Sequence, residues 1–200
     1  MIVWINGPFG VGKTQTAFEL RHRIPGSVII DPEEVGFFLS KQILPENRRP
    51  DFQDYPLWRK WVSELLADSQ THRERIVIVP MTVVSEEYFN EIIEPLKELG
   101  IRVVDFTLLA KKETIERRLK KRFDGNAWNF RQVDRCLAGL RSDVFSNKID
   151  TDIRDLDQVV EHILQELGPK VDSSPVQNGL FSRFLRRFRV LLSHIRFFSG

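Results

Sequence analysis

The sequence predicts a three-layer α/β fold in which helices cover both faces of a doubly wound parallel sheet. Two observations carry this expectation. Short, nearly continuous apolar runs rich in Val and Ile recur along the chain, as strands buried on both faces require, and helical patterns separate them. A glycine-rich segment, Gly7 to Thr14, joins the first apolar run directly to the first helical pattern.

The first strand reads as Ile2 to Asn6, followed by a helix over residues 14–23. Val28-Ile29-Ile30, ending at Asp31-Pro32, reads as the second strand, and Ile76 to Val79, ending at Pro80, as the third. A helix over residues 85–99 stops at Gly100, since glycine readily ends a helix, and residues 103–110 form the fourth strand. Lys148 to Thr151 make the last strand. It leads into a helix over residues 155–167, whose Leu156, Val159, Val160, Ile163, Leu164 and Leu167 share one face.

Gly7-Pro8-Phe9-Gly10-Val11-Gly12-Lys13-Thr14 is a complete G-x-x-x-x-G-K-[ST] phosphate-binding loop. Its glycines let backbone N–H groups close around phosphate oxygens, Lys13 reaches the β- and γ-phosphates, and Thr14 offers its hydroxyl to Mg²⁺. The following helix adds the positive end of its dipole. ATP or GTP is therefore the expected ligand, held by Gly7, Pro8, Phe9, Gly10, Val11, Gly12, Lys13 and Thr14, with Mg²⁺ on Thr14.

Phosphoryl transfer also needs a group that orients the acceptor hydroxyl. Asp31, at the end of the second strand, is the candidate; an Asp-Pro turn or a helix N-cap explains it equally simply. The third strand ends Val79-Pro80-Met81-Thr82, without the second metal-holding carboxylate usual at a neighbouring strand end, and Thr82 is a candidate to position a water on the metal. The run from Lys111 to Arg122 reads as a helix leading into a basic lid, with Arg118 and Arg122 one helical turn apart and able to stabilise a transferring phosphoryl group. Arg131 and Arg135 repeat that spacing.

A polar, Pro-punctuated stretch from Leu44 to Pro56 precedes a helix over residues 57–69. Its size suits a substrate-covering element or a solvated connection. The aromatics Phe52, Tyr55, Trp58 and Trp61 either wall a pocket or pack the helix on the body.

The formal net charge of +2 conceals an uneven distribution. Residues 180–200 carry Arg183, Arg186, Arg187, Arg189 and Arg196 with no acidic residue, a charge of +5 that leaves −3 for residues 1–179. Leu180, Phe181, Phe184, Leu185, Phe188, Leu191, Leu192, Ile195 and Phe198 recur between them at helical spacing. An Arg-rich helix with a greasy face fits a membrane interface; docking on the protein's own body or binding a partner helix are the alternatives. Nucleic acid fits poorly, because half of the tail is apolar and no nucleic-acid motif accompanies it. The chain thus divides into a domain at 1–167, a linker at 168–179 and a basic amphipathic helix at 180–200. Cys136 is the only cysteine, in an apolar pattern with Val133, Leu137 and Leu140, which fits a core position and a reducing compartment. Histidines at 22, 72, 162 and 194 are scattered, so no metal cluster is expected. No signal peptide or membrane-spanning run is read, and a cytoplasmic location is expected.

Several segments carry a family likeness: Trp4-Ile5-Asn6-Gly7, Gly12 to Leu20, Asp31-Pro32-Glu33, Asp51-Phe52-Gln53, Tyr55-Pro56-Leu57-Trp58-Arg59, Val79-Pro80-Met81-Thr82, Tyr88 to Ile93 and Asp134-Arg135-Cys136. On them the chain resembles the bacterial tunicamycin resistance proteins, ATP-binding members of the P-loop NTPase, nucleoside-kinase-like class. The likeness covers nearly the whole length. It implies cytoplasmic ATP binding, peripheral membrane association through the carboxyl-terminal helix, and resistance to a nucleoside antibiotic bearing a fatty acyl chain. Gly7, Gly12, Lys13 and Thr14 carry over directly; Asp31, Arg118 and Arg122 follow from comparison with small kinases. The expected function is an ATP-dependent phosphotransferase acting on tunicamycin or a similar drug. The alternatives are ATP-dependent sequestration of the drug without covalent change, and a housekeeping nucleotide or sugar kinase.

Overall fold

Five parallel strands form a single sheet in the order β2-β3-β1-β4-β5. They are β1 Ile2–Asn6, β2 Val28–Ile29, β3 Val77–Pro80, β4 Val103–Leu109 and β5 Lys148–Asp150. The computed structural model describes residues 1–71, 75–121, 127–169 and 171. The central strand, β1, pairs Val3 with Ile78 of β3 on one side and with Val104 of β4 on the other. All of its residues are buried, which is why it reads as an unbroken apolar run.

Seven helices accompany the sheet among the described residues: α1 Lys13–Arg23, α2 Pro32–Gln42, α3 Pro56–Asp68, α4 Glu86–Glu98, α5 Lys112–Lys120, α6 Ala127–Gly139 and α7 Leu156–Leu167. Successive side chains of β1 point to opposite faces. Ile2 and Trp4 enter one core with Trp58, Val79, Phe89, Ile92 and Leu96; Val3 and Ile5 enter the other with Leu20, Phe106, Leu108 and Ile163. These two cores make the three layers. Cys136 is buried in the first of them. On the second face Arg23, only 2% exposed, lies against Glu19 at 3.2 Å, Asp157 at 3.3 Å and Glu161 at 3.1 Å. Its charge is thereby neutralised, and α1 is tied to α7.

Among the described residues the predicted strands and helices are present, with ends shifted by one or two residues, and one helix is additional. Residues 32–42 form α2, started by a hydrogen bond from the Glu33 backbone N–H to Asp31 Oδ1 at 3.0 Å and by Pro32 in its first turn. The Leu44–Pro56 stretch contains two short 3₁₀ turns, Pro45–Asn47 and Phe52–Asp54. Of the predicted linker only residues 168, 169 and 171 are described, and the helix expected at 180–200 lies outside the described residues. No described helix is long and apolar enough to cross a membrane.

Candidate functional site

In a parallel sheet every strand delivers its exit to the same edge, so the loop after β1 shares that edge with Asp31, Thr82 and Thr151. Gly7, Gly10 and Gly12 have φ of 144°, 82° and 113°. At Gly7 the space is also closed: a Cβ there would stand 2.6 Å from Leu108 O and 2.8 Å from a Val11 methyl. Lys13, 8% exposed, lies back along the loop, its Nζ donating to Gly7 O at 3.0 Å and Pro8 O at 3.3 Å. The Nζ also sits 5.3 Å from the centre of the Phe9 ring.

The start of α1 fits a phosphate. Gly12, its N-cap, is left-handed and supplies no capping side chain, and the first turn holds no acidic residue, whereas Asp31, Ser85 and Asp155 cap α2, α4 and α7 with their side chains. Thr14, next in the helix, is half-buried at this end of the loop. Among the described residues no group of His, Cys, Asp or Glu could hold a metal by itself.

Asp31 is both a cap and a carboxylate at the same edge of the sheet as this loop. Burial pushes its carboxyl above the usual carboxylate range; the hydrogen bond from Glu33 opposes the rise, the Glu34 charge adds to it, and the Lys13 charge again opposes it. Trp58 holds the start of α2 in place through Nε1, which donates to Pro32 O at 3.0 Å. Trp58 and Tyr55 are buried in the core, so of the two roles open to these aromatics, packing is the one they play. Phe52 is half-buried between Phe37 and Trp58, at ring-centre distances of 5.9 and 5.2 Å.

Sequence reasoning did not identify the network that joins this acceptor side to the phosphate loop. Each residue of the turn around Phe52 engages a different element. Asp51 Oδ2 accepts from Arg135 of α6 at 3.1 Å, Gln53 Nε2 donates to Thr82 O at 3.1 Å, and Asp54 Oδ1 accepts from Tyr88 Oη of α4 at 3.1 Å. The Arg59 guanidinium donates to Gln53 O and to Glu91, with Nε 2.6 Å from Oε2, and stacks 4.1 Å from the Tyr88 ring centre. Thr82 Oγ1 then donates to Gly7 O at 2.8 Å. The one available signal was indirect: these residues, Asp54 excepted, fall in the segments that carry the family likeness.

The remaining candidates separate. Thr82, considered as a holder of metal-bound water, is only 2% exposed and spends its hydroxyl proton on Gly7 O. Arg118 donates to Thr151 Oγ1 at 2.9 Å, Thr151 O at 2.8 Å and Val11 O at 3.3 Å, so it clamps the exit of β5 to the phosphate loop. Arg122 and the lid expected around it lie outside the described residues. On the lid side, Trp128 of α6 meets the Phe9 ring edge to face at 5.3 Å. Burial pushes the Cys136 thiol up, against the opposing charges of Lys13 and Arg135, which suits a core residue better than a nucleophile.

Comparison with known proteins agrees with this geometry. A family model described as an AAA domain matches residues 2–142. The tunicamycin resistance protein of Deinococcus radiodurans is 35% identical, with 88% of this chain and 98% of that one covered at a TM-score of 0.72. An unliganded sugar kinase from Janibacter sp. is 19% identical, with 86% and 98% covered at a TM-score of 0.60. The Mycobacterium tuberculosis APS kinase, solved with AMPPNP and APS, is 16% identical, with 83% and 96% covered at 0.59. At those identities the two kinases establish the fold alone. No curated protein matches. The chain is a nucleotide-binding, kinase-like protein that belongs to the AAA-domain P-loop family, among the tunicamycin resistance proteins.

Proposed function

We propose that the protein transfers the γ-phosphoryl group of ATP to a hydroxyl of tunicamycin or a similar nucleoside antibiotic. The observation that carries this reading is Asp31, a carboxylate at the exit of β2 on the same sheet edge as the phosphate loop that holds Lys13. The relative at 35% identity supplies the drug class.

The acceptor oxygen forms a bond to the γ-phosphorus, the bond from that phosphorus to the β–γ bridging oxygen breaks, and ADP leaves. Asp31 orients the acceptor O–H and takes its proton. Its raised pKa makes it a better proton acceptor than an exposed carboxylate, because burial makes its anion less stable. Gly7, Gly10, Gly12 and the start of α1 hold phosphate oxygens, and Lys13 offsets charge on the β- and γ-phosphates. Thr14 would hold Mg²⁺, which when bound would supply further charge neutralisation. Arg122 of the lid is assigned to the same task, and Arg118 steadies the loop from behind through Val11 O.

Sequestration of the drug is the second reading. It is favoured by the exit of β3, whose residues Val79 to Val84 include no carboxylate and whose Thr82 is bonded to the phosphate loop. In either case residues 1–167 form the nucleotide-binding domain, and the basic amphipathic segment 180–200, beyond the linker at 168–179, meets anionic membrane. A lipophilic drug would be encountered there.

Mass spectrometry of tunicamycin incubated with the protein and Mg-ATP, beside Lys13→Ala, tests the chemistry. A gain of one phosphate that the variant loses supports transfer. Unmodified drug retained on the protein supports sequestration. Deleting residues 180–200 is expected to release the protein from anionic vesicles, and unchanged binding would refute the membrane assignment.

A further inference from the structure

We propose that Thr82, seated by Gln53, is a positioning residue for Lys13. The inference rests on a nucleotide sitting at the phosphate loop and is independent of whether phosphoryl transfer follows. Lys13 Nζ is located by two carbonyls, Gly7 O and Pro8 O. Where the ammonium lies therefore depends on where those carbonyls point. Gly7 has a backbone that is easily rotated, at φ 144° with no side chain of its own to hold it. The peptide groups on its two sides are each fixed from outside.

Two side chains do this. The Gly7 N–H donates to Asn6 Oδ1 at 2.8 Å, and Asn6 in turn pairs with both backbone groups of Val83, at 3.1 and 2.8 Å. On the other side, Thr82 Oγ1 donates to Gly7 O at 2.8 Å, so this carbonyl accepts from a hydroxyl and an ammonium together, one per lone pair. Asn6 and Thr82 are both essentially buried, where such bonds are strong and solvent does not replace a lost one. Thr82 is itself held through its carbonyl by Gln53 Nε2 at 3.1 Å, and Gln53 through its own carbonyl by Arg59. Thus the turn on the acceptor side and the phosphate-binding lysine are joined through three hydrogen bonds, Gln53 to Thr82, Thr82 to Gly7 and Lys13 to Gly7, and a fourth, from Arg59, braces Gln53.

Thr82→Val keeps the shape of the side chain and removes the donor. It is expected to weaken Mg-ATP binding about tenfold, the equivalent of ~1.4 kcal/mol, measured by calorimetry or by competition with a fluorescent ATP analogue. Thr82→Ser, which restores the hydroxyl, is expected to bind within about twofold of the unaltered protein, well under the tenfold that one such bond is worth. In a Lys13→Met background Thr82→Val should have no further effect on affinity, because the residue it positions is gone.

An equal loss from Thr82→Val in both backgrounds would mean a general structural role and overturn the proposal. Failure of Thr82→Ser to restore binding would do the same, as would absence of ATP binding by the unaltered protein. If Thr82→Val does not fold by circular dichroism, Gln53→Met in the two backgrounds decides, with the same expected dependence on Lys13. A negative mass-spectrometry result on the drug, with the Lys13 dependence intact, would remove phosphoryl transfer and leave this assignment standing.

Discussion

Gly36 of α2 lies directly against the ring of Phe52, so closely that a Cβ built at position 36 would stand 2.5 Å from two of its carbon atoms. The ring has little freedom to withdraw, being edge to face with Phe37 and tilted on Trp58. Gly36 therefore allows α2, which carries Asp31 at its start, to approach the turn that carries Gln53.

Helix propensity alone would make Gly36→Ala stabilising by about 1 kcal/mol. The contact with Phe52 reverses the sign, and we expect a loss of ~1–3 kcal/mol in a denaturant titration, as for other overpacked sites. Phe52→Leu in the same chain should recover part of it. A more stable Gly36→Ala protein would show that α2 does not depend on this approach.

Asp31 has two roles that substitution can separate. Asparagine caps a helix about as well as aspartate, so Asp31→Asn should leave the melting temperature nearly unchanged while abolishing phosphoryl transfer and sparing ATP binding. Asp31→Ala should lose transfer and, in addition, roughly 0.5–2 kcal/mol of stability with the cap. Transfer surviving in Asp31→Asn would remove the carboxylate from the chemistry.

Arg59 is 7% exposed and Glu91 is 41% exposed, so their salt bridge is asymmetric. Losing Glu91 leaves the arginine its bond to Gln53 and its stacking on Tyr88, whereas losing Arg59 opens the buried end of the network. Arg59→Met is accordingly expected to cost ~2–4 kcal/mol and Glu91→Gln under ~1 kcal/mol. Arg59→Lys should fall nearer to Met than to wild type, because an ammonium cannot reproduce the planar fork and the stack. Equal costs for Arg59→Met and Glu91→Gln would contradict this placement.

Asp105 lies in β4 beside Trp4 of β1. Its Oδ2, Trp4 Nε1 and Thr107 Oγ1 are buried without a hydrogen-bond partner among the described residues. Burial raises the Asp105 pKa, with Lys97 a lesser opposing influence. A raised folded-state value means that the folded protein favours the protonated acid. Its contribution to stability is complete below the unfolded pKa of about 3.9 and is lost as pH rises through the folded value. Asp105→Asn should therefore raise the melting temperature at pH 7, with the advantage shrinking as the pH falls towards 4. An advantage that grew on acidification would be the opposite sign and would refute the assignment.

Local sequence determined a large part of this protein. The glycines, Lys13 and Thr14 form their loop because the requirements for positive φ and for close phosphate approach are written in consecutive residues. The buried strands were legible because burial on both faces leaves continuous apolar runs. The helix α2 was not, although its Asp31-Pro32-Glu33-Glu34 start is a recognisable capped terminus. Its face carries Gly36 for a close approach, with Phe37 and Phe38 exposed, and that breaks the apolar period a helix normally shows.

What the tertiary structure decided was which distant residues meet. The order β2-β3-β1 puts the exit of β3 beside the exit of β1, and this brings Thr82 to Gly7 across 75 residues of sequence. The same packing brings Asp31 to the edge that carries Lys13, gives Arg118 to Thr151, and joins Gln53, Arg59, Tyr88 and Glu91 into one network. Periodicity records whether a residue faces inward. It carries no information about which strand becomes its neighbour, because that depends on how the crossover helices pack over the whole sheet.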